Sequence, residues 1–216
     1  IFGSEEIEGL PVISMELLPG GTLKERVAAN GPMLPEEAVA AVMDIIGGLD
    51  AAQAAGVLHR DIKPSNCFID DDGAVKVGDF GLSISTLARD VHHDLEAGAF
   101  QGTPQFAPPE QLRGEPLDIR ADIYAVGATL YYLLSGRLAF EAASPMSMVP
   151  AVMQGSPVST KQHRPEIPDR LALVVSTCLR RKPDDRYATY DELRRDLDAL
   201  RERGVVPAPV VSRLGA

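Results

Sequence analysis

The sequence predicts an α+β fold, with a mainly helical body and a small amount of β-strand towards its N-terminal end. Three observations predict this class. Residues 10–16, LPVISME, form a short apolar run typical of a buried strand. From residue 35 to about 55, apolar residues recur at helical spacing. Residues 121–136, ADIYAVGATLYYLLSG, are apolar nearly all round, which indicates a helix at the centre of a domain.

Composition and charge exclude several classes of protein. The chain has 216 residues, of which 45% are apolar, enough for a sizeable core. Its formal net charge of −10 argues against nucleic-acid binding, because phosphate contacts require clustered Lys and Arg. No apolar run approaches the roughly 18–20 residues that cross a bilayer, and no signal-peptide pattern is present. Cys67 and Cys178 form no CxxC pair, so we expect a reducing, cytoplasmic setting without a metal-thiolate site.

Turn and capping signals define the N-terminal elements. The turn LPGG at residues 18–21 ends the first strand. Thr22 and Glu25 form a T-x-x-E capping box, which predicts a short helix ending near residue 31. After the long helix, residues 67–70 and 74–77 are predicted to form a hairpin around an Asp-Asp-Gly turn.

The C-terminal half is predicted to be helical beyond residues 79–121, which have little periodicity and much Gly, Pro, His and Asp. A loop of that length inside a domain is usually functional or disordered. One helix is expected over about 169–180, and another opens at Thr189, with Glu192 completing a second capping box, and runs to about residue 203. We expect an irregular loop that packs on the helical body around the three methionines Met146, Met148 and Met153.

A polar loop, HRDIKPSN at residues 59–66, carries the chemistry. Asp61 can accept a proton from an attacking hydroxyl, while Lys63 stabilises negative charge on a transferring group. The side-chain oxygen of Asn66 is a hard ligand suited to Mg²⁺. Asp79 follows a predicted strand in a Gly-flanked turn. Two oxygen ligands near a base and a cation suggest phosphoryl transfer from a magnesium-bound nucleotide.

In order and spacing, five features resemble the large lobe of a eukaryotic-like, bacterial serine/threonine protein kinase: HRDIKPSN, DFG at 79–81, GTPQFAPPE at 102–110, Asp122 and Arg186. The resemblance covers roughly residues 4–203. It implies a protein-kinase-like fold whose small lobe is largely missing. The expected divisions are the end of the small lobe and the hinge (1–18), the large lobe (19–203) and a flexible tail or linker (204–216).

The resemblance implies transfer of the γ-phosphate of Mg·ATP to a Ser or Thr hydroxyl of a protein. Asp61 matches the catalytic base and Lys63 the lysine that contacts the γ-phosphate. Thr103 matches the threonine of the P+1 loop that braces both. Asn66 and Asp79 match the magnesium ligands.

Further matches concern the nucleotide. Met15 falls at the gatekeeper position, and Glu16 and Leu18 fall at the hinge, whose backbone bonds to adenine. Phe68 matches the floor of the adenine site.

Other matches concern support of the site. The resemblance implies a buried ion pair between Glu110 and Arg186. It also implies that Asp122 accepts backbone hydrogen bonds from the catalytic loop, and that His59 and Phe80 stack in the regulatory spine.

The sequence also departs from the family pattern. Ala-Pro-Glu is replaced by Pro108-Pro109-Glu110, and the usual Tyr is Phe106; both are changes of packing. The 216 residues contain no Gly-rich phosphate loop, no strand lysine in a VAIK-like context and no helix glutamate to pair with it. We therefore expect a piece of a longer kinase that by itself binds ATP poorly and has little activity.

Two other functions stay open at this point. A pseudokinase or scaffold would keep the fold without transfer, and a small-molecule phosphotransferase would share the lobe. The expected partner is a protein substrate with Ser or Thr, and dimerisation for autophosphorylation is left open. No nucleic-acid partner or membrane segment is expected. We expect a cytoplasmic setting, and leave open whether the chain is the cytoplasmic domain of a membrane-anchored receptor kinase.

Several polar groups have simpler explanations than a second site. His92 and His93 are expected in a solvated charged loop rather than at a metal. Residues 70–73 lack the spacing of a calcium loop. Cys67 is expected to be a small buried hydrophobe. Ser83, Ser85 and Thr86 follow DFG. They are either phosphorylation sites of the activation loop, with Arg60 as the phosphate partner, or ordinary exposed residues of a loop.

Overall fold

The structure, a computed structural model, describes residues 2–7, 10–80, 84–85, 103–142 and 144–207. The described strands are β1 (Gly3–Ile7), β2 (Leu10–Ser14), β3 (Val57–Leu58), β4 (Cys67–Ile69), β5 (Val75–Val77) and β6 (Ile84–Ser85). The described helices are α1 (Leu23–Asn30), α2 (Pro35–Ala54), α3 (Pro109–Leu112), α4 (Ile119–Ser135), α5 (Pro145–Gln154), α6 (Thr160–His163), α7 (Asp169–Cys178) and α8 (Tyr190–Glu202). The strands form antiparallel pairs, β1 with β2, β3 with β6 and β4 with β5. The predicted α+β class is confirmed.

Helix α4 lies at the centre of the body, where α2 and α7 pack against it and α8 packs against α2 and α7. All but a few of its residues are buried, as predicted from its uniformly apolar sequence. Its first turn is capped by Asp118, whose side chain accepts from the N–H of Arg120. The helix ends at Gly136, whose φ of 68° is left-handed and suits glycine. The core therefore surrounds the helix that also carries Asp122.

The predicted capping boxes select the helix starts. Thr22 accepts from the N–H of Glu25, and the Glu25 carboxylate accepts from the N–H of Thr22 at 2.8 Å. At α8, Thr189 accepts from the N–H of Glu192, whose own carboxylate reaches the N–H of Ala188 rather than that of Thr189. Both helices begin where the sequence predicts.

The prediction of a buried strand over residues 10–16 is wrong in its burial and in its end. Strand β2 ends at Ser14, and Leu10 is 67% exposed. The hairpin β1–β2 has only two strands, so neither of its faces is covered unless a further layer packs on it. An apolar run predicts a strand but does not by itself supply the layer that would bury it.

The prediction of an irregular loop around the methionines is also wrong, because residues 145–154 form α5. Ser144 caps this helix in a reciprocal box with Ser147, and Pro145 occupies its first turn, where a missing N–H costs nothing. Pro150 lies inside the helix, which is unfavourable for helix prediction. Met148 packs into the core.

None of the helices within the described ranges is long and apolar enough to cross a membrane.

Close packing of α4 on α7 predicts that Gly127→Ala destabilises the chain. A Cβ at Gly127 would lie 2.2 Å from Cβ of Cys178, a distance that requires the helices to move apart. We expect a loss of about 1–3 kcal/mol in the free energy of unfolding, measured by urea denaturation. Gly47→Ala on α2 is the matched control, since a Cβ there meets no atom within 4 Å, and it should gain about 0.5–1 kcal/mol. Equal stability of Gly127→Ala and the unsubstituted chain would contradict this packing.

Candidate active site

The loop at residues 59–66 is held by backbone hydrogen bonds to a single carboxylate. Arg60 has a φ of 71°, a left-handed conformation that is unusual for a residue other than glycine. The N–H groups of His59 and Arg60 donate to Oδ2 and Oδ1 of Asp122 at 2.9 and 2.8 Å. The carboxylate thus takes both donors of a turn that the chain would not adopt alone.

Asp122 lies in the first turn of α4, and its side chain is 1% exposed. Burial raises the pKa of this carboxyl, and the backbone hydrogen bonds from His59 and Arg60 oppose that rise. The N-terminal end of a helix also favours negative charge. These donors make a buried carboxylate tolerable at this position.

His59 connects the loop to Gly78, which directly follows β5. The N–H of Asp61 donates to Nδ1 of His59 at 3.3 Å, and Nε2 lies 3.1 Å from the carbonyl oxygen of Gly78. Since Nδ1 accepts, the proton of a neutral ring belongs on Nε2, which donates to Gly78. The rings of His59 and Phe80 lie 4.5 Å apart between centroids. The two rings are in contact but tilted by 48°, so they do not stack face to face as predicted, and their place in a regulatory spine stays a prediction.

Asp61, Lys63, Asn66 and Thr103 form one hydrogen-bonded cluster. Nζ of Lys63 donates to Oδ2 of Asp61 at 2.5 Å and to Oγ1 of Thr103 at 2.7 Å. Nδ2 of Asn66 donates to the same carboxylate oxygen at 3.1 Å and to the carbonyl oxygen of Asp61 at 2.9 Å. Asp61 is only 9% exposed, so its orientation is fixed by these donors.

The hairpin β4–β5 brings Asn66 and Asp79 to adjacent chain ends. Cys67 pairs with Val77, and the N–H of Gly78 donates to the carbonyl oxygen of Asn66 at 2.9 Å. Asp79, one residue further, has a φ of 58°, so the backbone leaves the extended strand conformation there. The structure therefore places the two predicted metal ligands beside the same end of one hairpin.

The segment after the predicted hinge lies on the other side of this hairpin. Gly20 donates to the carbonyl oxygen of Ile69 at 3.0 Å, and Ile69 donates to that of Gly21 at 2.8 Å. Thr22 forms a β-bridge with Phe68. A Cβ on Gly78 would lie 2.8 Å from the Phe68 ring, so glycine is required for this close approach.

The residues predicted at the gatekeeper position and at the hinge are more open. Met15 is 59% exposed, and the carboxylate of Glu16, also exposed, pairs with Nζ of Lys76 at 2.9 Å. Leu18 is half-buried. Their assignments to the nucleotide stay predictions.

A buried ion pair supports the other side of the loop. The two terminal guanidinium nitrogens of Arg186, Nη1 and Nη2, donate to the Glu110 carboxylate at 2.5 and 2.8 Å, as predicted. Arg186 also donates to carbonyl oxygens of three residues, Arg120, Arg180 and Arg181. Gln111, which follows Glu110 in the sequence, donates to the carbonyl oxygen of Arg60 at 2.8 Å. The ion pair therefore lies one residue from a direct contact with the left-handed turn.

A family model for the protein kinase domain matches residues 6–196, nearly all of the chain. The chain belongs to the protein kinase family. It is 36% identical over 202 residues to the serine/threonine-protein kinase PknB of Mycolicibacterium smegmatis. The matched region covers 94% of this chain and 32% of the relative. It is also 36% identical over 197 residues to PknL of Mycobacterium tuberculosis, covering 91% of this chain and 49% of the relative. The chain thus spans about a third to a half of the length of these bacterial relatives.

Two residues that contact the loop at residues 59–66 or its carboxylate partner were not predicted from the sequence. Gln111 follows the ion-pair glutamate directly, so its place in the motif was the available signal. Tyr190, whose hydroxyl donates to Asp122 at 3.3 Å, lies on the buried stripe of α8, which looks like ordinary core spacing. A stripe of that kind predicts burial and leaves the polar contact unspecified.

Some predicted features of the kinase lie outside the described residues, namely Ser83, Thr86, His92, His93 and the end of the tail; for Ser85 the structure describes the backbone alone. Nε of Arg60, the expected phosphate partner, is buried and has no partner among the described residues. Burial raises the pKa of the Cys67 thiol to about 12, which agrees with its expected place as a small apolar residue.

The buried ion pair of the kinase fold predicts a large loss of stability for Glu110→Ala. This substitution leaves the Arg186 guanidinium buried without its carboxylate, and we expect about 3–5 kcal/mol less free energy of unfolding in urea. Asp184→Ala is the matched control, because Asp184 pairs with Arg120 at the surface and should cost at most about 1 kcal/mol. Similar losses for the two variants would contradict the assignment of a supporting role to the Glu110 pair.

Proposed function

We propose that this chain is part of a catalytic domain that transfers the γ-phosphate of Mg·ATP to a Ser or Thr hydroxyl of a protein substrate. One observation carries the proposal: Nζ of Lys63 contacts both Asp61 and Thr103. A proton acceptor, a cation and a threonine of the peptide-binding segment are thereby held within a single hydrogen-bonded cluster. The named relatives, which are serine/threonine-protein kinases, support the same class of reaction.

The residues fit a magnesium ion and a nucleotide. Since Nδ2 of Asn66 is committed to Asp61, the planar amide directs Oδ1 to the opposite side, where it can ligate a hard cation. The Asp79 carboxylate at the same hairpin end supplies a second oxygen. Bound there, magnesium would supply charge neutralisation to the phosphate groups. Met15, Glu16, Leu18 and Phe68 are proposed to hold the adenine.

The chain's own residues then divide the work. Asp61 is proposed to orient the substrate hydroxyl and to accept its proton at the carboxylate. Lys63 stabilises negative charge beside the transferring group, and Thr103 holds the ammonium group in place. Asn66 donates one hydrogen bond to the carboxylate of Asp61 and one to its backbone carbonyl oxygen, and so restrains both the side chain and the loop. A geometry held this closely supports transfer over a binding-only role.

The proposal includes the organisation predicted from the sequence: the end of the small lobe and hinge (1–18), the large lobe (19–203) and a tail or linker (204–216). A cytoplasmic setting and dimerisation for autophosphorylation are part of the same proposal.

Phosphate transfer from labelled ATP to a generic Ser/Thr protein substrate tests the proposal. The full-length natural protein that contains this sequence should transfer phosphate, and its Asp61→Asn variant should lose at least about 100-fold in kcat. Asp169→Asn is the matched control, because Asp169 is an exposed carboxylate that pairs with Lys161 at the surface. It should retain full activity. The 216 residues alone, which contain no Gly-rich phosphate loop and no strand lysine in a VAIK-like context, should show little transfer.

Absence of transfer by a folded, ATP-binding full-length protein would overturn the proposal in favour of a scaffold. Transfer to small alcohols but not to proteins would favour a small-molecule phosphotransferase. Transfer by the 216 residues alone at nearly the rate of the full-length protein would refute the expectation that a Gly-rich loop and a strand lysine are needed.

A further inference from the structure

Tyr190 contacts the carboxylate that holds the catalytic loop. Its hydroxyl donates to Oδ2 of Asp122 at 3.3 Å, the same oxygen that accepts from the N–H of His59. We propose that Tyr190 is a positioning residue for phosphoryl transfer, acting through Asp122 on the backbone that precedes Asp61. This inference rests on the function proposed above.

The local sequence directs this side chain to the carboxylate. Tyr190 is the first residue of α8 and begins the buried stripe that continues through Leu193, Leu197 and Leu200. The cap at Thr189 fixes the start of the helix. A residue at this position of the stripe must therefore point into the body, where Tyr190 is 2% exposed.

A third donor matters because Asp122 is out of contact with water. The other two donors in the structure are backbone N–H groups of the loop itself, so any loosening of the loop removes them from the carboxylate. The Tyr190 hydroxyl comes from α8 and does not move with the loop. It keeps one oxygen of Asp122 in place to receive the loop backbone.

Surrounding charges keep this hydroxyl a donor. Burial and the charge of Asp122 raise the pKa of Tyr190, so the proton stays on the phenol. The charged or titratable groups that face the pair are His59 in the loop, Asp50 on α2 with its partner Arg194 on α8, and Asp118 with its partner Arg120 at the start of α4. Asp50 and Asp118 each pair with an arginine, whereas the carboxylate of Asp122 accepts its hydrogen bonds from Tyr190 and from the loop backbone.

The hydrogen bond also affects how activity depends on pH. Donation by Tyr190 lowers the pKa of Asp122, so its removal raises that pKa. The ionised carboxylate is the form that accepts both N–H groups, and it would then be lost at a higher pH as the solution is acidified. The acidic limb of the kcat profile should therefore move to higher pH without Tyr190's hydroxyl.

The test compares Tyr190→Phe with Tyr187→Phe in the full-length natural protein. Both remove one phenolic hydroxyl that donates to a carboxylate, but Tyr187 donates to Asp196 on α8 at 2.8 Å and does not reach the loop. For Tyr190→Phe we expect about a three- to tenfold lower kcat. Its KM for ATP and for the protein substrate should stay within about twofold, because no binding contact is removed. Tyr187→Phe should keep the kcat and the pH profile of the unsubstituted protein.

A Tyr190→Phe protein with an unchanged kcat and an unchanged acidic limb would overturn the inference. An equal loss in Tyr187→Phe would overturn it as well, because the effect would then belong to α8 in general.

If the unsubstituted protein transfers no phosphate, the proposed function fails instead. Amide hydrogen exchange at His59 and Arg60 then decides the inference: faster exchange in Tyr190→Phe alone supports it, and equal exchange in both variants overturns it. The same exchange comparison, made on the fraction that remains folded, applies if Tyr190→Phe destabilises the protein.

Discussion

The arrangement of the site depends on one buried carboxylate, that of Asp122. A carboxylate removed from water is costly unless hydrogen bonds satisfy it, and a left-handed turn at Arg60 is costly unless something holds it. The two features stabilise each other, since the N–H groups of the turn satisfy the buried carboxylate and the carboxylate holds the turn in its left-handed conformation. The position of the loop at residues 59–66 is thereby tied to the position of α4.

This dependence explains why so much of the core surrounds α4. The helix is enclosed by α2 and α7, so Asp122 is carried on a rigid element. From this turn, His59 contacts Gly78 beside the hairpin β4–β5. Asp61 accepts hydrogen bonds from Lys63 and Asn66, so the turn also positions the candidate active-site cluster. Precise placement of reacting groups is the main contribution that a protein can make to phosphoryl transfer.

The sequence predicted the parts of this structure that depend on local signals. Capping at Thr22 and Thr189 and the uniform burial of α4 are encoded within a few residues. The family resemblance predicted the contacts of the polar loop with Asp122 and Thr103, but not those from Asn66 to Asp61 and from His59 to Gly78. Helix α5 was missed because Pro150 opposes helix prediction, although capping and packing favour the helix. The contact from Tyr190 to Asp122 was missed because it joins residues 68 positions apart, a distance over which spacing carries no information.

Amide hydrogen exchange at His59 and Arg60 tests the central constraint most directly. In the unsubstituted chain both amides should be protected, and in Asp122→Asn at least one should exchange about tenfold faster or more, since an amide side chain has a single acceptor oxygen. Amides in the middle of α4, such as that of Leu130, should keep their protection and show that the helix is intact. Unchanged protection of both loop amides in a folded Asp122→Asn chain would contradict the account.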